Sequence, residues 1–222
     1  MTTQEKNYEE ILNELEQQDP VVDEPPVAYS TTQRYSYADY LTWTDNVMRE
    51  IIGGIVYLFA APLRVHAAST GYFFFRALTY IRRRKGNCKV YTAPFDVRFP
   101  TNGETADDKV FDIVQPDICV VCDPAKLDYR GCIGAPDLIV EVNSPSTSKL
   151  DLQEKFLLYQ EHGVQEYWIV FPKDKSVTVF LLQSDGKYAN GKIYQLAAGK
   201  KKIPVKTLKG LVIDLEELFE ED

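Results

Sequence analysis

The run Asp137–Val142 (DLIVEV) carries a clear strand pattern. Strand alternation places Leu138, Val140 and Val142 on one face of this run and Ile139, Glu141 and Asn143 on the other. A strand that is apolar on both faces belongs in the middle of a sheet. Further strand patterns occur at VYTAPFDVRF (90–99), VQPDICVVCD (114–123), EYWIVF (166–171), SVTVFLLQ (176–183) and KYANGKIYQL (187–196). REIIGGIVYLF (49–59) reads as a strand pair or one bent strand, turning at Gly53-Gly54. Helical periodicity appears in the residues between. His66, Thr70, Phe73, Ala77 and Ile81 recur at steps of three and four, the inward face of a long helix with Gly86 placed as its C-cap. A second helix spans about Lys149 to His162, opened by a Ser148–Asp151 capping pair and stopped by Gly163. Ser36 with Asp39 repeats the capping pattern and opens a short helix to about Asn46. A closing element falls around IDLEELF (213–219). At the other end, QEKNYEEILNELEQQ (4–18) carries a short helical pattern. The acidic, proline-bearing DPVVDEPPVAYS after it cannot continue a helix and reads as a linker or mobile arm. Two parts are therefore expected, a helix and flexible arm over residues 1–34 and a compact domain over 35–222. The order helices, strands, helix, strands predicts a mixed α+β fold, a central mixed β-sheet flanked by helices.

Composition narrows the class. With 222 residues, 45% hydrophobic and 26% charged, the chain matches an ordinary globular domain. No apolar run is long enough to cross a bilayer and the N-terminus is polar and acidic, so the expectation is a cytoplasmic protein with no membrane partner. A formal net charge of −8 argues against a protein that coats nucleic acid, but leaves room for an enzyme with a local basic groove. The basic clusters Arg82-Arg83-Arg84-Lys85 and Lys200-Lys201-Lys202 read first as solvated faces. Of the four cysteines (Cys88, Cys119, Cys122, Cys132), Cys119 and Cys122 lie three apart on a strand pattern. They point to opposite faces and cannot share one zinc ion. All four read as buried free thiols in a reducing compartment.

Glu141 is then a carboxylate inside a hydrophobic sheet, and a glutamate in that position needs a cation. Two partners are available. One is a divalent metal shared with Asp117, which follows Pro116 at the start of DICVV, at a strand end where sheets give way to ligands. A divalent ion converts the repulsion of two carboxylates into coordination. The other is Lys155. In LDLQEKFLLYQ the apolar stripe is Leu152, Phe156 and Tyr159, and Lys155 lies on that stripe, aimed inward toward Glu141.

The run PDICVVCD…GAPDLIVEVNSPSTSKLDLQEKFLLYQEHGVQEYWIV resembles the Uma-type putative restriction endonuclease family, a branch of the PD-(D/E)XK nuclease-like superfamily. The similarity continues through REIIGGIVYLFAAPLRVH, APFDVRF and IPVKTLKGLVIDLEELF, over roughly residues 36–219. This resemblance implies a restriction-endonuclease-like core and a Mg²⁺-dependent site, with Mn²⁺ as a substitute, that hydrolyses DNA. Asp117 matches the Asp of the family's PD and Glu141 its second acid, both as metal ligands. Lys155 matches a lysine that has moved onto the following helix. The wider superfamily carries a lysine two residues after the second acid; here that position is Asn143, which could hydrogen-bond the attacking water or the phosphate. Glu50 and His66 match an acid and a histidine of the family pattern and form an outer part of the site. His66 reads equally as a core or capping histidine. Asp96 reads either as a third acid or as a turn or edge-strand aspartate. Asp137, after Pro136, imitates the PD motif on a strand whose acid is already Glu141. Cutting both strands would suit a C2 homodimer. Two other readings stay open: a nuclease fold kept for nucleic-acid binding or regulation, and a structural ion pair in an unrelated α/β protein.

Overall fold

The computed structural model describes residues 5–7, 9–10, 33–45, 47–59, 63–144, 150–199 and 201–220. The first strands in chain order are β1 (Glu5–Lys6), β2 (Arg49–Ile52), β3 (Ile55–Leu58), β4 (Lys89–Thr92), β5 (Asp96–Arg98), β6 (Ile113–Val114) and β7 (Ile118–Val121). They are followed by β8 (Gly131–Ile133), β9 (Leu138–Val142), β10 (Glu166–Phe171), β11 (Ser176–Leu181), β12 (Gly191–Gln195), β13 (Lys202–Pro204) and β14 (Val212–Asp214). Among the described residues the named α-helices are α1 (Tyr37–Tyr40), α2 (Arg64–Arg84), α3 (Lys155–His162) and α4 (Leu215–Leu218), and a π-helical turn, Leu150–Glu154, runs into α3. Among the described residues the strands form a large sheet ordered β1-β12-β11-β10-β9-β7-β4, a smaller one ordered β3-β2-β6-β5-β8, and the pair β13-β14. The β9–β10 pair is parallel within the otherwise antiparallel large sheet, so the fold is the expected mixed α+β arrangement.

Two sheets arise where the sequence pattern predicts continuous strands. VYTAPFDVRF divides into β4 and β5 around Pro94, and VQPDICVVCD divides into β6 and β7 around Pro116. Proline has no N–H to give to a ladder, so each run bends there and passes from one sheet to the other. The two runs make the crossing together. Tyr91 of β4 pairs with Cys119 of β7 in the large sheet, and Val97 of β5 pairs with Val114 of β6 in the small one. The resulting corner puts Gln115 and Asp117 at the seam between the sheets. Close approach is also built into the small sheet, where a Cβ on Gly131 of β8 would stand 2.1 Å from the backbone oxygen of Asp96 in β5.

β9 is sealed on both faces, as its alternation predicts. Leu138, Val140 and Val142 join a core with Phe73, Ala77 and Ile81 of α2, while Ile139 joins Leu152, Phe156 and Tyr159 on the α3 side. Each fully buried aliphatic side chain of this kind contributes about 1.5–3 kcal/mol. The inward face of α2 is Ser69, Phe73, Ala77 and Ile81, with His66 and Thr70 half-buried. Its left-handed C-cap is Lys85 (φ 51°) rather than Gly86. Gly86 stands one residue further on and returns its N–H to the Ile81 carbonyl, the longer bond of a Schellman end.

Other boundaries move as well. α1 keeps the Ser36–Asp39 capping box but ends at Tyr40, before Thr42, Trp43 and Thr44, whose stiff or bulky side chains extend a helix poorly. The β2–β3 hairpin turns on Gly53 and Gly54, both with positive φ as a type I′ turn requires. Glu5 and Lys6 do not open a helix; they pair with Lys192 and Gly191 at the edge of the large sheet. Helix begins only after Asn7, where the side chains of Asn7 and Glu10 each accept the other's backbone N–H. The rest of that expected helix, the proline-rich arm, and the Ser148–Asp151 capping contact lie outside the described residues. No helix among the described residues is long and apolar enough to cross a membrane.

The thiols correct the sequence reading. Cys88 and Cys122 form a disulfide, and only Cys119 and Cys132 are free and buried. The cause is register: one step beyond the Lys89–Val121 pair, the antiparallel β4–β7 ladder sets Cys88 opposite Cys122. A sequence pattern does not report that register. The two residues are 34 apart in sequence. Closing a loop of that size restricts the unfolded chain by up to about 4 kcal/mol. Cys88→Ser is therefore expected to lower the unfolding free energy by about 2–4 kcal/mol in urea titrations, with added reductant lowering the wild type to the same level.

Candidate active site at the seam of the two sheets

The Gln115-Pro116-Asp117 corner is where the chemistry-bearing residues gather. Glu50 comes from β2 of the small sheet, Glu141 from β9 of the large sheet, and Lys155 from the first turn of α3. Lys155 lies on the inward stripe, and the π-helical turn before it delivers it to the seam. Its Nζ stands 2.9 Å from Glu50 Oε2 and 3.1 Å from Glu141 Oε1. All three side chains are at most 4% exposed. Tyr159, one turn further along α3, donates its hydroxyl to Glu141 Oε1 at 2.7 Å. Burial raises the Tyr159 phenol well above its ordinary pKa, and the nearby charges of Glu141 and Glu50 push it the same way. Tyr159 is thus a proton donor to Glu141 at any ordinary pH.

The corner supplies the remaining donors from its backbone. The Gln115 N–H reaches Glu50 Oε1 at 2.7 Å, and the Asp117 N–H reaches Glu141 Oε2 at 3.3 Å. Between them Pro116 has no N–H to offer. Asp117 turns its own side chain to the mouth of the site. Its Oδ2 accepts the Val142 N–H at 2.7 Å and lies 3.0 Å from His66 Nε2. The Asp117 and His66 side chains keep 18% and 17% exposure, so this edge meets solvent while the Glu50–Lys155–Glu141 triad does not.

Of the residues singled out in the sequence, the fold brings Asp117, Glu141, Lys155, Glu50 and His66 into one connected group. Asn143 follows on the Glu141 face of the same chain. Its backbone N–H is used by Val170 O, but its side-chain Nδ2 is buried without a hydrogen-bond partner. Asp96 stands apart from the carboxylates. It accepts from Tyr37, Tyr40 and the Gln115 side chain, a neighbouring network that touches the site through Gln115. Asp137 takes no part; it accepts the Cys122 N–H further down the sheet. Sequence reasoning passed over Tyr159 and Gln115. Tyr159 had a signal, since it lies four residues after Lys155 on the same stripe. Gln115 had none beyond its place beside Pro116.

The donor set can be tested against a metal. Among the described residues no three His, Cys, Asp or Glu side chains form a cluster that could hold an ion. Asp117 and Glu141 are the two carboxylates that could reach an ion, with the remaining positions falling to water or substrate oxygens, although Glu141 Oε1 already takes Lys155 and Tyr159 and Oε2 the Asp117 N–H. That suits Mg²⁺, which keeps several waters and commonly takes one or two carboxylates.

Comparison with known proteins decides the family. A family model described as "Putative restriction endonuclease", Uma2, matches residues 37–216. The chain belongs to the Uma2 family. A solved structure of a putative nuclease belonging to DUF820, from Anabaena variabilis ATCC 29413, is similar in fold, with a TM-score of 0.64 at 18% identity over 83% of this chain and 97% of that one. An uncharacterized protein from Synechocystis sp., slr1290, is 35% identical over 74 residues, 33% of this chain and 39% of its own length. The Uma2 match contains Glu50, His66, Asp117, Glu141 and Lys155 alike.

The charge balance of this Uma2 site sets its stability. Lys155→Met is expected to lower the unfolding free energy by about 3–5 kcal/mol, because it leaves two carboxylates buried without their cation. Adding Glu50→Gln and Glu141→Gln to that variant restores most of the loss. Urea denaturation followed by tryptophan fluorescence measures both, and a single variant as stable as the wild type would show that the three charges are not coupled.

Proposed function

We propose that this Uma2 protein is a metal-dependent endonuclease that hydrolyses phosphodiester bonds of DNA. One observation carries the reading. Asp117, just before β7, sets its N–H on Glu141 of the neighbouring β9, and a buried ammonium stands 3.1 Å from Glu141. Asp117 and Glu141 would hold Mg²⁺, with Mn²⁺ as a substitute. When bound, the ion would neutralise charge on the scissile phosphate and lower the pKa of a coordinated water.

The chain's own residues do the rest of the work. The Val142 N–H and His66 both engage Asp117 Oδ2 and so fix its carboxylate. Tyr159 and the Asp117 N–H fix Glu141 from opposite sides. Lys155, held between two carboxylates, presents a fixed positive charge where negative charge develops on the phosphate. Asn143 Nδ2, buried and without a protein acceptor, donates to the water or to a phosphate oxygen. Cutting both strands of a duplex calls for two such sites, so the proposal includes a C2 homodimer, acting in the cytoplasm. The domain responsible begins near residue 35, with Glu5–Lys6 adding an edge strand to its large sheet.

Asn143 and the net charge of −8 favour a second reading, a nuclease fold that binds nucleic acid with little or no cleavage. The two separate in one set of assays. Asp117→Ala and Glu141→Ala are expected to reduce Mg²⁺-dependent nicking of plasmid DNA by roughly 10³-fold or more, with circular dichroism unchanged, and chelation of the metal should do the same to the wild type. Heat on Mg²⁺ titration without any cleavage would favour the second reading, and wild-type cleavage by either variant would reject the assignment.

A further inference from the structure

Asp96 and the two tyrosines beside it are more elaborate than an edge-strand aspartate requires. Tyr37 donates its hydroxyl to Asp96 Oδ2 at 2.9 Å, and Tyr40 donates to Oδ1 at 3.3 Å. The Gln115 amide then completes the set, donating from Nε2 to Asp96 Oδ1 at 2.9 Å and to the Tyr40 hydroxyl at 3.0 Å. Burial and the Asp96 charge raise both phenols far above their ordinary pKa, so both remain donors. Asp96 is also paired with Gly131 of β8 at a distance that leaves no room for a methyl group between them. The side chain of Gln115 is thus held by a carboxylate and a phenol that belong to β5 and α1.

The same residue's backbone faces the other way. Its N–H is the 2.7 Å donor to Glu50 Oε1, and the other oxygen of Glu50 receives Lys155. Gln115 also precedes a proline, so its own conformation is narrowed by the ring that follows. A side chain locked on one side and an N–H aimed at a carboxylate on the other make one residue a mechanical link between two networks.

We propose that Gln115 is a positioning residue of the site: anchored by Asp96 and Tyr40, it fixes Glu50, and through Glu50 the orientation of the Lys155 ammonium. The consequence for catalysis rests on the nuclease reading; the consequence for Glu50 does not. Gln115 touches no substrate in this scheme. It sets where the charge of Lys155 is presented, and small displacements of such a group are costly.

Gln115→Leu removes the anchor and keeps the backbone N–H. On a defined oligonucleotide with saturating Mg²⁺, kcat is expected to fall about tenfold or more while KM stays within twofold. Gln183→Leu, the same chemical change at an exposed position past β11, is the control and leaves kcat unaltered. In a Glu50→Gln background the Gln115→Leu change adds no further loss if it acts through Glu50. An unchanged kcat, a rise in KM alone, or fully additive losses would overturn the proposal. A readout independent of activity accompanies these. Hydrogen exchange of the residue-115 amide, corrected for intrinsic rates, should quicken at least tenfold in Gln115→Leu, and the amides of Ile118–Val121 should not. If the wild type proves inactive, the nuclease reading fails and exchange alone decides the link: faster exchange upholds it, unchanged exchange overturns it. Should Gln115→Leu not fold, Tyr40→Phe, which deletes one of the two acceptors of the amide, is read in the same way.

Discussion

One ammonium group shared by two buried carboxylates ties the two sheets of this molecule together. Glu50 belongs to the small sheet, Glu141 to the large one, and Lys155 arrives on the helix that covers their seam. At about 3 Å and an effective dielectric near 20, each contact is worth roughly 5 kcal/mol of Coulomb attraction, and desolvating the three charges costs a comparable amount. The net contribution to stability is therefore modest. What the arrangement secures is position, since neither sheet can slide without breaking a contact to Lys155.

The site is graded from dry to wet. Glu50, Lys155 and Glu141 are sealed, whereas Asp117 and His66 reach the mouth. Lys155 already fills the interior between the two glutamates, and Asp117 with His66 stands at the rim.

Much of this was legible in the residues, for identifiable reasons. The two-faced burial of β9 follows from Leu138, Ile139 and Val140, and a glutamate among them could only be paired. The inward aim of Lys155 follows from its spacing to Leu152 and Tyr159. What could not be read was register and direction. The disulfide depends on how β4 slides against β7, which no periodicity records. The division of 90–99 and 114–123 into two sheets turns on Pro94 and Pro116, whose missing donors mark a break without saying where the chain goes next. Asp96 looked like a candidate acid because sequence shows a carboxylate and hides its partners; Tyr37, Tyr40 and Gln115 are distant from it along the chain and surround it in space.

Pro116 has the least chemistry of any residue near the site and one of the firmest constraints. It is buried between two amides that are each already assigned to a glutamate oxygen. Any other amino acid would bring a third amide hydrogen into that corner, and a donor left there without an acceptor would cost about 1–3 kcal/mol. The imino acid is kept, on this view, for the atom it lacks, and the spacing of two glutamates is governed by a silence in the backbone.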